Sequence, residues 1–149
     1  MSLTSPAART ATARRIPFVL AVLATGIPMF MATLDNLVIT NALPVIHADL
    51  GATVEELQWF INSYTLVFAS LILMTVALGD RLGRRTIFIA GIAIFTLASI
   101  AAALSTDPTQ LIIARGIQGI GGAGIMPLSL SLLSGAVSEK RRPLAIGIW

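Results

Sequence analysis

The turn Gly79–Arg85 reads Gly-Asp-Arg-Leu-Gly-Arg-Arg, and the organisation of the chain can be worked out from it. It contains one acid, three arginines and two glycines, and it separates two apolar runs, 57–79 and 86–106, that contain no charged side chain. At a rise of about 1.5 Å per residue, each run can cross a hydrocarbon core of about 30 Å as a helix. The basic turn must then lie in water, and the positive-inside rule predicts that this water is the cytoplasm.

The composition identifies an integral membrane protein. The chain is 56% hydrophobic and 11% charged, with a mean hydropathy of +0.88, whereas globular domains contain about 25% charged residues. The pI of about 10.6 could suggest nucleic acid as a partner. However, the basic residues lie in short clusters at the ends of apolar runs, so we predict a lipid bilayer as partner and no nucleic acid. The absence of cysteine and the single histidine, His47, argue against a metal site.

The apolar runs predict an all-α fold with four full transmembrane helices and the start of a fifth. Residues 1–15, rich in Ala, Thr and Ser, are predicted to form a disordered cytoplasmic tail. The alternative, that Arg14-Arg15 begins a signal peptide, lacks a convincing small-residue cleavage site. Residues 16–149 are predicted to form an incomplete N-terminal transmembrane bundle, with spans at about 16–46, 57–79, 86–104, 109–137 and 143 onward.

Two sequence signals predict where helices begin. Thr53 and Glu56 have the spacing of a capping box for the second helix. Asp107-Pro108 has the pattern of an N-cap followed by proline at the first helical position of the fourth helix. The loop between the first two helices is predicted to cover residues 44–58.

The distribution of charge predicts the orientation. Of the ten Lys and Arg residues, Arg115 falls within a span and the other nine fall on one predicted side. These nine are Arg9, Arg14, Arg15, Arg81, Arg84, Arg85, Lys140, Arg141 and Arg142. The acids of the opposite loops are Asp49, Glu55, Glu56 and Asp107. We therefore predict a multi-pass protein of the cell (inner or plasma) membrane with a cytoplasmic N-terminus.

Asp35 and Arg115 are charged residues inside predicted spans. A charge at the centre of a membrane helix costs about 2.5–3.5 kcal/mol, so each needs a partner or a watery cavity. By helical rise, Asp35 is predicted about 16 Å and Arg115 about 9 Å from the outer ends of their helices. Our hypothesis is that they line one polar cavity and influence each other's charge; the alternative is a static ion pair, or an arginine that reaches towards the membrane surface, that only locks helices. Gln118, one turn from Arg115, is predicted to orient the guanidinium or contact substrate.

The glycine-dense run 119–124 fits the pattern Gly-x-Gly-x-x-Gly, and Glu139 follows 20 residues after Gly119. This resembles a dinucleotide-binding fingerprint, but the strand–helix–strand context that the fingerprint needs is absent. We instead predict that Gly119, Gly121 and Gly122 allow close helix packing in lipid.

Two other features have alternative interpretations. His47, at the outer edge of the membrane, could sense pH, although a solvated loop residue is the simpler interpretation. The three arginines of the Gly79–Arg85 turn could bind anionic lipid headgroups, although an orientation signal needs no ligand.

Three motifs together resemble the major facilitator superfamily, and within it the drug–proton antiporters with 14 spans (the EmrB/QacA-like group). Residues 77–85 resemble the hallmark loop of the superfamily, residues 115–123 resemble its span-four motif, and residues 34–44 resemble the span-one motif of the 14-span group. The resemblance covers the chain from about Ile16 to Trp149. It implies that the chain is the N-terminal part of a major-facilitator-type helix bundle.

The resemblance also implies roles for individual residues. The arginine of the span-four motif, here Arg115, is implicated in proton coupling in the family. The acid and arginines of the hallmark loop form a charge network with a helix of the other half, which gates the cytoplasmic side. These residues correspond to Asp80, Arg81, Arg84 and Arg85, with Gly83 permitting the turn.

These observations predict the N-terminal part of a proton-coupled exporter of small amphipathic or cationic compounds, working by alternating access. The chain is predicted to be no enzyme and to need no cofactor, because the proton gradient is the energy source. Its predicted partners are the bilayer, a small-molecule substrate and the missing C-terminal half. The alternatives are a metabolite uptake symporter of the same fold and a non-transporting, truncated membrane fragment.

Overall fold

The computed structural model describes residues 17–149, and in this range the chain is a bundle of helices. The helices are α1 (Phe18–Leu50), α2 (Val54–Leu82), α3 (Arg84–Ala103), α4 (Pro108–Ala136) and α5 (Arg142–Ile148), with a 3₁₀ turn at Glu139–Arg141. Four of them, α1 to α4, are long and apolar enough to cross a bilayer. The predicted all-α membrane bundle is confirmed. The predicted tail 1–15, with its three arginines, lies outside the described residues.

The helix boundaries have local causes. The Thr53 side chain accepts a hydrogen bond from the Glu56 N–H, and the Glu56 carboxylate accepts one from the Thr53 N–H at 2.7 Å, so the predicted capping box is present. Asp107 caps α4 by accepting from the Gln110 N–H at 2.9 Å, with proline in the first turn as predicted. At the C-terminal end of α1, Gly51 has a φ of 61°, a left-handed conformation that ends the helix.

The predicted loop over residues 44–58 is wrong in extent, because α1 continues through Pro44 to Leu50 and α2 begins at Val54. A proline inside a helix removes one backbone hydrogen bond and disfavours the helix, so contacts of the following residues must favour its continuation. Past the proline, Ile46 and Leu50 pack against a cluster that contains the buried Phe60 and Leu111. Burial of these side chains favours continuation of α1.

The centre of the bundle is α4. In its apolar stretch 61% of the residues are buried, against 22%, 11% and 22% in the corresponding stretches of α1, α2 and α3. A Cβ atom at Gly119 would lie 2.6 Å from the Tyr64 carbonyl oxygen in α2, and one at Gly121 would lie 2.6 Å from the Phe95 nitrogen in α3. Because these glycines have no side chain, the backbones of α2 and α3 approach α4 on opposite faces.

The two ends of the bundle differ in charge. The α1–α2 and α3–α4 connections lie at one end, here called the acidic end, which carries Asp49, Glu55, Glu56 and Asp107. The α2–α3 and α4–α5 connections lie at the other, here called the basic end, which carries Arg81, Arg84, Arg85, Lys140, Arg141 and Arg142 together with Asp80 and Glu139. The predicted orientation rests on this asymmetry.

Candidate functional site

An ion pair between a buried arginine and a partly buried aspartate joins α1 to α4. Arg115 Nη1 donates to Asp35 Oδ2, and the side chains of Arg115 and Asp35 are 1% and 23% exposed. Because α1 is longer than predicted, Asp35 lies near the midpoint of that helix, about 22 Å from its acidic end by helical rise, and Arg115 lies about 10 Å from the start of α4. A charge pair in such surroundings is stable only if its remaining donors and acceptors are also bonded.

Every nitrogen of the Arg115 guanidinium has a partner. Nε donates to the Phe60 carbonyl oxygen at 3.0 Å, and Nη1 donates to Gln118 Oε1 at 2.8 Å as well as to Asp35. Nη2 donates to Asn36 Oδ1 at 3.0 Å. The guanidinium carbon also lies 4.7 Å from the centre of the Tyr64 ring, within the range of a cation–π contact. The cation is therefore held by α1, α2 and its own helix.

Gln118 connects this group to α3. Its Nε2 donates to Asp35 Oδ1 at 2.9 Å and to Ser99 Oγ at 2.8 Å, while its Oε1 accepts from Arg115. Arginine only donates and a carboxylate only accepts, so the orientation of the Gln118 amide follows from its two charged neighbours. Both carboxylate oxygens of Asp35 thus accept a hydrogen bond. The resulting network connects all of α1, α2, α3 and α4.

A cavity of about 380 Å³ lies beside the network, between α1, α2 and α4. Its wall combines amide, hydroxyl, aromatic and aliphatic groups from Ala32, Thr33, Asn36, Leu37, Thr40, Tyr64, Phe68, Gly122 and Met126. Asn36 and Tyr64 belong to both the wall and the network. The arrangement therefore differs from the hypothesis that Asp35 and Arg115 line the cavity: they pair with each other behind a wall that Asn36 and Tyr64 form.

The basic turn between α2 and α3 depends on Gly83, which has a φ of 99°. A side chain would be strained there, so glycine is needed for the sharp change of direction. Asp80 and Arg84 form an ion pair at 2.9 Å, and Arg84 also donates to Ser131 of α4. Both charged side chains are about half exposed, so the pair adds little stability by itself. The other basic side chains of the turn, Arg81 and Arg85, are exposed.

The structure brings together Asp35, Arg115 and Gln118, which the sequence singled out. It adds partners that were not predicted from the sequence: Asn36, Tyr64, Ser99 and the Phe60 carbonyl. The available signal was weak, because these are polar groups inside apolar runs, and many such groups only bond their own helix. Thr65, for example, donates to the carbonyl oxygen of Ile61.

Long apolar helices around a buried polar network are typical of multi-pass membrane transporters. The family model described as Major Facilitator Superfamily matches residues 13–149. The chain belongs to the Major Facilitator Superfamily, as the three sequence motifs predicted.

Individual relatives are similar over most of this chain. The cephamycin export protein CmcT of Amycolatopsis lactamdurans is 45% identical over 120 residues, 80% of this chain and 25% of the relative. The methylenomycin A resistance protein of Streptomyces coelicolor is 43% identical over 128 residues, 85% of this chain and 26% of the relative. The multidrug resistance protein Stp of Mycobacterium tuberculosis is 41% identical over 131 residues, 87% of this chain and 24% of the relative. The chain spans about a quarter of the length of these curated relatives.

Proposed function

We propose that this chain acts as the N-terminal part of a proton-coupled exporter of small amphipathic compounds. The observation that carries the proposal is the Asp35 carboxylate, held by Arg115 and Gln118 next to a cavity of about 380 Å³. Relatives named for cephamycin export, methylenomycin A resistance and multidrug resistance support export of antibiotic-like compounds. Ionisable groups inside membrane helices commonly mark substrate pathways and proton relays.

Asp35 is the proposed proton-binding group. In the ionised state it accepts hydrogen bonds from Arg115 and Gln118. Protonation removes the charge that attracts the guanidinium and converts one carboxylate oxygen into a donor. As a result, the hydrogen bonds from Arg115 and Gln118 of α4 to Asp35 of α1 are weakened. A proton arriving from the acidic end thereby favours a different packing of the two helices, in which substrate is released.

The basic turn is the proposed cytoplasmic gate. Asp80, Arg81, Arg84 and Arg85 would form their charge network with the C-terminal half, around the turn at Gly83. With the N-terminus in the cytoplasm of a cell-membrane protein, this gate closes the side opposite to the acidic end. Rocking of the two halves then gives alternating access, with the proton gradient as the energy source.

The cavity wall supports an amphipathic substrate. Thr33, Thr40 and Asn36 offer hydroxyl and amide groups, while Phe68 and Met126 offer apolar surface. Within the described residues that line the cavity, none is charged, so this part of the wall favours uncharged over cationic compounds.

The proposal predicts that Asp35→Asn abolishes coupling in the full-length transporter. Asparagine keeps the shape of the side chain but cannot bind and release a proton. In everted membrane vesicles, proton-driven transport of methylenomycin A and cephamycin is expected to fall at least about tenfold, equivalent to about 1.4 kcal/mol. Asp49→Asn is the matched control, because Asp49 is an exposed acid of the same helix, and it is expected to retain wild-type transport.

Full proton-coupled transport by the Asp35→Asn variant would contradict the assignment. The same vesicles distinguish the uptake symporter. An exporter moves substrate into everted vesicles while protons leave them, whereas a symporter moves substrate and protons in one direction. A non-transporting fragment would give no proton-driven movement in either direction.

A further inference from the structure

Asn36 lies at the boundary between the cavity and the charged network. Its side chain lines the cavity, its Oδ1 accepts from Arg115 Nη2 at 3.0 Å, and its Nδ2 donates to the Ala32 carbonyl oxygen at 3.0 Å. Tyr64 also borders both, but it meets the guanidinium through its ring face. Asn36 therefore provides the direct hydrogen-bonded connection from the cavity wall to Arg115.

The orientation of the Asn36 amide follows from its partners. Arg115 can only donate and the Ala32 carbonyl can only accept, so the oxygen must face the guanidinium. The second N–H of the amide interacts with the Tyr64 side chain, and one lone pair of the Asn36 oxygen remains to accept a hydrogen bond from a ligand. This acceptor suits a hydroxyl or amide group. Nearby, the rings of Tyr64 and Phe68 stack with centres 5.9 Å apart and line the same cavity, where they add apolar surface for the rest of the ligand.

We propose that Asn36 couples occupation of the cavity by an uncharged, hydrogen-bonding amphipathic ligand to the charge of Asp35. The proposal rests on the proposed function of Asp35 as proton-binding group. When Asp35 is ionised, it fixes the position of Arg115, and Arg115 fixes the Asn36 amide in the orientation that binds the ligand. When Asp35 is protonated, the guanidinium loses its fixed position and the amide loses its fixed orientation. Ligand affinity then falls.

Coupling of this kind is reciprocal. If protonation weakens the binding of ligand, then ligand must promote release of the proton by the same factor. The charged and titratable groups that face Asp35 within residues 17–149 are Arg115 from α4 and Tyr64, from α2, behind the guanidinium. From α3, the uncharged Ser99 is connected to Asp35 through the Gln118 side chain. The antagonism between proton and ligand is the property that an antiporter needs.

The test is calorimetry on the full-length transporter in detergent, with chloramphenicol as an uncharged probe that carries hydroxyl and amide groups. Binding is measured at about pH 6 and about pH 8, in two buffers that differ in ionisation enthalpy, so that released protons are counted. The wild-type protein is expected to bind at least about fivefold more tightly at the higher pH, the lower limit of typical coupling. It is expected to release protons on binding.

Asn36→Ala is expected to bind the probe more weakly at the higher pH, with a pH dependence of less than about twofold and little proton release. Asn41→Ala is the matched control, because Asn41 is exposed on the same helix and donates to the Leu37 carbonyl oxygen as Asn36 does to Ala32. It is expected to behave as wild type. Asn36→Ser provides a second, smaller polar variant and is expected to reduce the pH dependence in the same direction.

Wild-type pH dependence and proton release in both Asn36 variants would overturn the role of Asn36. If the wild-type protein itself bound the probe without pH dependence or proton release, the proposed function of Asp35 would fail instead. Failure of the wild-type protein to bind chloramphenicol would contradict the ligand class.

Discussion

Arg115→Met is expected to destabilise the full-length transporter by about 3–5 kcal/mol and to abolish proton-coupled transport. Methionine is apolar and of similar length, but it leaves the partly buried Asp35 carboxylate without its counter-charge. It also removes the donors to Gln118, Asn36 and the Phe60 carbonyl oxygen. Thermal unfolding in detergent measures the loss of stability, and everted vesicles measure transport.

The double variant Asp35→Asn with Arg115→Met separates charge from packing. Removing both charges leaves no unpaired ion, so the double variant is expected to be more stable than Arg115→Met alone. It is still expected not to couple transport to protons. Equal stability of wild type and Arg115→Met, or a double variant less stable than the single one, would show that the ion pair does not hold the helices together.

Gly121→Ala is expected to destabilise the bundle by about 3 kcal/mol, the upper part of the usual range for overpacking. The added Cβ would lie 2.6 Å from the Phe95 nitrogen and 2.7 Å from the Gly91 carbonyl oxygen, both backbone atoms of α3. Backbone atoms cannot move aside as a flexible side chain would, so α3 and α4 must separate. Thermal unfolding of the full-length protein in detergent measures this effect.

Gly135→Ala provides the control on the same helix. A Cβ there meets nothing within 4 Å, and alanine favours a helix over glycine by up to about 1 kcal/mol. This variant is expected to be as stable as wild type or more so. Equal unfolding temperatures for the two alanine variants would contradict the close approach of α3 to α4.

The sequence was sufficient for much of the fold because lipid imposes simple rules. Long uncharged runs separated by basic or acidic turns predict spanning helices, and the caps at Thr53 and Asp107 were found correctly. The predicted end of α1 is wrong, because Pro44 lies inside the helix and not at its boundary. Whether a proline ends a helix depends on the burial of the residues after it, here Ile46 and Leu50, and that depends on neighbouring helices.

The site likewise combines features that local sequence predicts with features that depend on neighbouring helices. Asp35 and Arg115 were identifiable because a charge in lipid needs a partner, and Gln118 because it lies one helical turn from Arg115. Asn36, Tyr64 and Ser99 were not assigned, because their part in the network depends on how the helices are rotated against each other. That rotation also places Asn36 and Tyr64, rather than the ion pair, on the cavity wall. The gating role of the basic turn stays a prediction.

Infrared difference spectroscopy of the Asp35 carboxyl group provides the decisive measurement. The full-length transporter is compared at acidic and basic pH as wild type, Asp35→Asn and Asp49→Asn. If Asp35 binds the transported proton, a carboxylic acid carbonyl band grows as the pH falls in wild type and in Asp49→Asn and is missing in Asp35→Asn. Identical difference spectra for wild type and Asp35→Asn would show that Asp35 does not titrate, and the proton-coupling account would be wrong.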